Sequence, residues 1–128
     1  MSVQNKNSEK IILVYGLSGM QLMTLAMAAK KEGIGCKAVS DSETGLTISQ
    51  LLSGEEQPCP DSVPLSGKYA LLSGFDGQID RALTLINQAA SGVIKAVHTK
   101  NNTDWRFADL CFSIQQEQDV INKLKRKK

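Results

Sequence analysis

Two stretches of this 128-residue sequence, 10–52 and 68–110, align with each other at a constant offset of 58 positions and without a gap. Nine aligned positions are identical, and they cluster. Paired glycines fall in one predicted turn, and a Lys-Ala-Val triplet ends one predicted strand. Self-similarity of this kind is the sequence signature of a structural unit that is used twice. We therefore predict an internal duplication, so the fold must divide into two similar halves.

The rest of the chain is organised around these repeats. Residues 1–9 are polar and predict a disordered N-terminus, and residues 10–53 and 68–128 are the two repeats. Residues 54–67 contain all three prolines and predict a linker. With 41% hydrophobic residues, a chain of this length buries a core without a metal ion or a disulfide. We therefore predict one compact domain overall.

Each repeat has the pattern strand, helix, strand, helix. Short apolar runs bounded by glycine predict strands that are buried on both faces. The predicted strands are Ile11–Tyr15, Gly35–Val39, Tyr69–Ser73 and Val93–Val97. Ser18 and Asp76 are the expected N-caps of the first helix of each repeat, and Gly33 and Gly92 are expected to end those helices.

The second helix of each repeat follows a polar loop, at 46–52 in the first repeat and from about residue 104 in the second. The last helix is predicted to bury one apolar stripe, formed by Phe107, Leu110, Cys111, Ile114, Ile121 and Leu124. A strand, helix and strand with short connections form a right-handed crossover between parallel strands. The predicted fold class is α/β, with tandem duplicated βαβα units forming a four-stranded, mainly parallel sheet with pseudo-twofold symmetry.

A candidate site lies where the two strands of the second repeat end. Open α/β folds bind ligands at the carboxyl edge of their parallel strands. This edge should bring the turn after the third strand beside the loop after the fourth. The candidate ligand or partner surface is Gly74, Phe75, Asp76, Gly77, His98, Thr99, Asn102 and Trp105.

Two interpretations of that loop stay open. In the first, Thr99 and Asn102 bond to the backbone of their own loop and Trp105 covers the edge of the sheet. In the second, the same side chains form a binding surface. His98 titrates near neutral pH, but a single loop histidine does not by itself indicate catalysis.

Thr99, Asn102 and Trp105 follow the strand residues IKAV at the spacing T-x-x-N-x-x-W. Together with LLSGFDGQIDRAL upstream, this motif resembles a bacterial family called domain of unknown function 3783, over about residues 68–115. The resemblance implies a βαβα unit and implies no reaction. The aligned positions of the first repeat hold Asp41, Thr44 and Thr47.

The sequence shows no paired carboxylates, no metal-ligand cluster and no nucleophile with a base. We therefore predict a small binding or regulatory module that is not catalytic, with no metal and no cofactor, for a protein or small-molecule partner. One alternative is a small-molecule or nucleotide-binding protein, or an enzyme, at the same carboxyl edge.

A second alternative is an RNA-associated factor that uses the basic tail. The tail residues are Lys123, Lys125, Arg126, Lys127 and Lys128. Without these five the chain is acidic overall, which argues against a nucleic-acid-binding surface on the domain itself. The polar N-terminus and short apolar runs predict a cytoplasmic protein with no membrane span, and the duplication favours a monomer.

Overall fold

The computed structural model describes residues 10–54, 60–75 and 79–126. The predicted N-terminus 1–9, Cys59, Asp76, Gly77 and the last two lysines lie outside these residues. The elements are β1 Ile11–Tyr15, α1 Gly19–Lys31, β2 Gly35–Ala38, a 3₁₀ turn Asp41–Glu43, α2 Ile48–Leu52, β3 Lys68–Ser73, α3 Asp80–Ala89, β4 Val93–Val97 and α4 Phe107–Arg126. In the described residues, no helix has the length and apolar character needed to cross a membrane.

The four strands form one mixed sheet in the order β2-β1-β3-β4. Strands β1 and β2 are parallel, as are β3 and β4. The central pair is antiparallel, with Leu13 of β1 opposite Leu71 of β3. The chain is therefore an α/β protein with a mostly parallel sheet. The antiparallel centre also places the carboxyl ends of β1 and β2 at one edge, and those of β3 and β4 at the opposite edge.

Helices cover both faces of the sheet. Alternate residues of a strand point to opposite faces, so each central strand contributes to two cores. On one face, Ile12 and Leu72 pack with residues of α1 and α3. On the other face, Leu13 and Leu71 pack with residues of α2 and α4, including the fully buried Phe107. Both central strands are therefore buried on both faces, as their continuous apolar runs predict.

The two halves differ by one residue between their parallel strands. Ile11 pairs with Gly35, 24 positions later, whereas Lys68 pairs with Val93, 25 positions later. The ungapped alignment therefore holds for β1 and β3 but is one residue out of step for β2 and β4. The shared Lys-Ala-Val triplet does not occupy equivalent places in the sheet.

The first helices of the two halves also begin differently. Ser18 is the N-cap of α1, as predicted. Its hydroxyl accepts from the Gln21 N–H at 3.2 Å, and the Gln21 side chain accepts from the Ser18 N–H at 3.0 Å. Helix α3 begins at Asp80, with Ile79 at the N-cap and no side-chain cap. The expectation that Asp76 caps this helix is therefore wrong, because the helix starts four residues later.

The apolar stripe of α4 is buried only in its first half. Phe107, Leu110 and Cys111 are buried, whereas Ile121 is 45% exposed and Leu124 is 61% exposed. A helix of 20 residues is about 30 Å long, whereas a five-residue strand spans about 17 Å. The last turns of α4 therefore extend past the sheet, and the prediction of one continuous buried stripe is wrong at its end.

The described part of the linker is fastened to the first half. The Thr44 hydroxyl donates to the Val63 carbonyl at 2.6 Å and accepts from the Val63 N–H at 2.8 Å. The Leu65 N–H donates to the Tyr15 hydroxyl at 2.8 Å, and that hydroxyl also bonds to the Asp41 carboxylate. Burial and the bond to this carboxylate raise the pKa of Tyr15. Residues 62–65 thus pack against the carboxyl end of β1.

Candidate functional site

The carboxyl ends of β3 and β4 lie side by side, as expected for a parallel pair. The Ser73 hydroxyl, at the end of β3, is 2.9 Å from Nδ1 of His98, which directly follows β4. The backbone N–H of His98 donates to the Leu72 carbonyl at 2.8 Å, which extends the hydrogen bonding between β3 and β4 by one residue. The two segments that the sequence placed together therefore do meet here. Asp76 and Gly77 lie outside the described residues.

Phe75 occupies a different environment from the rest of the predicted surface. It is 4% exposed and belongs to the core on the α1 and α3 face. Its ring lies under the Lys10 ammonium, whose Nζ is 6.0 Å from the ring centroid. Helix α4, which follows Trp105 in the chain, covers the other face of the sheet. Phe75 is therefore a core residue and does not contribute to an exposed surface.

Asn102 is the buried centre of the loop between β4 and α4. Its Oδ1 accepts from the Thr99 N–H at 2.9 Å, and its Nδ2 donates to the Val97 carbonyl at 3.0 Å. The Thr99 hydroxyl in turn accepts from the Asn102 N–H at 3.3 Å. These bonds satisfy backbone groups at the end of an edge strand. Thr99 and Asn102 therefore hold the loop in shape.

We expect Asn102→Ala to lower the free energy of unfolding by about 1 to 3 kcal/mol, because it leaves the partly buried Thr99 N–H and Val97 carbonyl without their partner. Urea unfolding of the full chain measures this loss. The matched control is Asn101→Ala, at the exposed neighbouring position, which should change stability by less than about 0.5 kcal/mol. Equal effects of the two substitutions would contradict the bracing role of Asn102.

The loop before α4 is also tied to the loop before α2, on the same face of the sheet. The Ile48 N–H donates to the Trp105 carbonyl at 2.9 Å, and the Phe107 N–H donates to the Leu46 carbonyl at 2.9 Å. Between them, Thr47 and Arg106 form an isolated antiparallel bridge. The two polar loops of the halves therefore brace each other through backbone hydrogen bonds.

Trp105 combines a fixed backbone with an open side chain. Its N–H donates to the Asn102 carbonyl at 3.0 Å and its carbonyl accepts from Ile48, yet 42% of the residue is exposed. The following residue, Arg106, forms an ion pair of 3.1 Å with Asp61 of the linker. A partly exposed aromatic side chain on a fixed backbone is suited to contact with a partner. Thr99 and Asn102 therefore brace the loop, whereas Trp105 presents an exposed side chain.

His98 is held neutral by its surroundings. Burial lowers its pKa below the ordinary value of 6.5, and its Nε2 is buried without a partner among the described residues. Charging such a ring would require a second donor bond that is not made there. A serine–histidine pair also needs a third group to orient the imidazole if it is to act as a nucleophile and base. The described residues place none at Nε2.

The lowered pKa of His98 makes stability depend on pH. The unfolded chain takes up a proton near pH 6.5, whereas the folded chain does so at lower pH. The contribution of His98 should therefore be complete above pH 6.5 and should fall as the pH drops below it. We expect His98→Gln to remove this part of the pH dependence of the melting temperature between pH 7.5 and 5.0. Parallel curves for the two proteins would contradict the assignment.

Ser73 was not predicted as part of this site. It carries no motif, so only the pairing of β3 with β4 shows that it meets His98. Exposed methionines on α1, in the other half of the chain, were not predicted either. They are Met20, Met23 and Met27, with exposures of 78%, 63% and 60%.

The described cysteines contribute to packing. Cys111 is buried in the core on the α4 side, and burial raises the pKa of its thiol to about 12. Cys36 is half-buried and packs against the core on the opposite face, with its pKa also raised by burial. Both thiols are therefore protonated near neutral pH, and both cysteines act as small apolar residues in the packing. Lys123 and Lys125 of the tail are exposed on the last turns of α4.

Comparison of the chain with models of protein families, with curated proteins and with solved structures gives no match in any of the three.

Proposed function

We propose that this protein is a binding module without catalytic activity, and that Trp105 is the anchor of its contact with a partner protein. The observation that carries the proposal is the half-exposed indole on a backbone that is fixed by hydrogen bonds on both sides. Tryptophan is enriched among the residues that dominate binding energy at protein interfaces. A side chain that is already positioned also loses less freedom when it binds.

The surroundings of Trp105 support a protein partner. The ring is flanked by exposed polar residues, Asp104 and Arg106, which can form the polar rim of a small interface. The partner would present an apolar pocket for the indole, ringed by groups that bond to these neighbours. The buried Asn102, together with Thr99, holds the loop that carries this surface in shape.

We also propose that the two βαβα halves are copies of one unit, related by a pseudo-twofold axis, and that the second is a member of the domain of unknown function 3783 family. The same hydrogen bond recurs in the loops that follow β2 and β4. The Ser40 N–H donates to Oε1 of Glu43 at 3.1 Å, and the Thr99 N–H donates to Oδ1 of Asn102 at 2.9 Å. These pairs are 59 positions apart, which is the spacing that the register of β2 and β4 requires, and this agreement supports the duplication.

The test of the anchor is Trp105→Ala. Truncation of a fully buried tryptophan costs about 3 to 5 kcal/mol of unfolding free energy, and we expect a much smaller loss here. We also expect the variant no longer to bind the partner protein. Urea unfolding measures the first, and affinity capture from cell extract with immobilised wild-type and variant protein measures the second. Trp105 is the only tryptophan, so its fluorescence also reports directly on contact.

The matched control is Phe112→Ala, which removes another exposed aromatic ring, 51% exposed, from α4. It should retain the partner. If Trp105→Ala lowers the free energy of unfolding by more than about 3 kcal/mol, the ring stabilises the fold, and its proposed role as a binding anchor is wrong. A metabolite that raises the melting temperature of both proteins equally would support the small-molecule alternative instead, since a bound ligand stabilises by mass action.

A further inference from the structure

Strand β4 is an outer strand of the sheet, and among the described residues no strand pairs with its other side. The backbone N–H of His98, just after β4, donates to the Leu72 carbonyl of β3. Alternate residues of a parallel strand bond to the same neighbour, so the backbone N–H and carbonyl groups of Ile94 and Ala96 also point towards β3. The N–H and carbonyl groups of Val93, Lys95 and Val97 therefore point away from the sheet. Such a row of groups is a template for another strand.

Two cavities lie against β4, one towards each covering layer of helices. An apolar cavity of about 260 Å³ lies towards α3 and is lined by Lys95, which also lines the second cavity, and by apolar residues that include Leu72, Ile79, Leu83 and Val97. A polar cleft of about 490 Å³ lies towards α4 and is lined by residues that include Lys68, Lys95, Gln115, Gln118 and Asn122. Successive side chains of an added strand would point alternately towards the two cavities.

The polar cleft has unmatched positive charge. Lys68 Nζ lies 3.4 Å from the Ser91 carbonyl and Lys95 Nζ lies 3.0 Å from the Val93 carbonyl, so both ammonium groups bond to backbone oxygens. Neither forms an ion pair within the described part of the chain. An acidic side chain placed in the cleft would gain a charge partner there.

We propose that β4 is the docking edge for an extended segment of another protein, which adds to the sheet as a fifth strand. The segment would alternate apolar residues, facing the cavity beside α3, with acidic residues, facing the cleft beside α4. Main-chain bonds supply affinity in this mode of recognition, and the two cavities supply specificity. The Lys95 ammonium leaves the Val93 carbonyl when the segment binds. The Asn102 side chain stays on the Val97 carbonyl and ends the pairing. This site does not require Trp105.

A second copy of this chain fits the edge poorly. Antiparallel pairing of the whole of β4 with itself is centred on Lys95 and places the two lysines directly opposite each other. Like charges in that position destabilise a pair of strands, and lysine on an edge strand opposes self-association. The charge that excludes a second copy is the same charge that favours an acidic segment.

The test uses a display library of random eight-residue peptides, selected against the full-length chain. We expect enriched peptides to alternate apolar and acidic residues. Amide hydrogen exchange with one such synthetic peptide should slow at Lys95 and Val97 by at least tenfold. The amides of Cys36 and Ala38, on the outer side of β2, should not change. Slowing at β2, or no slowing at either edge, would overturn the proposal.

Two pairs of variants distinguish a specific effect on peptide binding at β4 from a general effect of the same kind of substitution elsewhere in the protein. Lys95→Pro removes an outward N–H and should weaken peptide binding at least tenfold, whereas Ala38→Pro makes the matched change on β2 and should have no effect. If a proline variant fails to fold by circular dichroism, Val97→Glu serves instead. It places a negative charge at a 42% exposed position of the apolar cavity and should also abolish binding. Its control is Val120→Glu, at a 57% exposed position of α4.

The remaining outcomes are also decisive. Peptides rich in lysine that bind as well as acidic ones would overturn the charge assignment and with it the proposal. The chain could also dimerise, and Lys95→Pro could abolish the dimer. That result would show that β4 pairs with a second copy of the chain, and it would overturn the proposal as well. Trp105→Ala should leave peptide binding unchanged, so failure of the anchor at Trp105 and failure of the edge at β4 are distinguishable.

Discussion

A fragment of residues 66–128 is expected not to fold as a stable monomer. In the full chain, β3 lies between β1 and β4, and the antiparallel pair with β1 runs from Tyr69 to Ser73. Removal of the first half exposes this edge and uncovers Leu71 and Leu72, which are each 1% exposed in the intact protein. Loss of half of both cores exceeds the stability of an ordinary domain of this size.

The fragment can regain a folded state by dimerisation. Two copies can pair through β3 in the register that β1 uses, with Leu71 opposite Leu71, because Leu13 and Leu71 are equivalent in the repeat. We expect light scattering and circular dichroism to show either a folded dimer or an unfolded chain. A folded monomer at micromolar concentration would contradict the central role of the β1 and β3 pair, and the proposed duplication with it.

Gly16→Ala is expected to lower the free energy of unfolding by about 2 to 4 kcal/mol. Gly16 has φ of 89°, a conformation that residues with a side chain rarely adopt. A Cβ at this position would overlap the Gly67 carbonyl oxygen and lie 3.2 Å from the Cα of Lys68. The obstacles are backbone atoms, so the strand pair must shift to make room.

Two other glycines calibrate this effect. Gly33 has φ of 75°, and a Cβ added there would meet no atom within 4 Å, so Gly33→Ala should cost only about 1 to 2 kcal/mol of backbone strain. Gly19 begins α1 with ordinary φ and open space, so Gly19→Ala should be neutral or stabilising. Urea unfolding of the three variants should rank them in this order. An equal loss for Gly16 and Gly33 would show that the close approach to Gly67 is unimportant.

The strands were predictable because burial on both faces leaves a continuous apolar run. Ile11–Tyr15 and Val93–Val97 have the predicted bounds, and the other two strands differ from prediction by one residue at one end. The orientation of β1 against β3 was not predictable. Both a parallel and an antiparallel centre bury the same side chains, so the sequence pattern of a single strand does not distinguish them.

The proximity of the carboxyl ends of β3 and β4 was predictable from the parallel order of these strands, and His98 and Asn102 follow β4 as expected. The roles of the individual side chains were not predictable. Whether each side chain braces or is exposed depends on tertiary hydrogen bonds, such as the one from Ile48 to Trp105, which join loops far apart in the chain. Phe75 shows the same limit, because an aromatic residue in a glycine turn can face solvent or the core.

The antiparallel centre of the sheet also has a consequence for the folding pathway. Each parallel pair joins residues 24 or 25 positions apart, so contacts within either half can begin to form before the halves meet, although a half alone is not stable. The central pair joins residues between 54 positions apart, at Tyr15 and Tyr69, and 62 positions apart, at Ile11 and Ser73. Non-local contacts of this kind raise the contact order and slow folding. The rate-limiting step should therefore be the docking of two partly formed halves, and changes at Leu13 or Leu71 should affect the folding rate more than changes within either crossover.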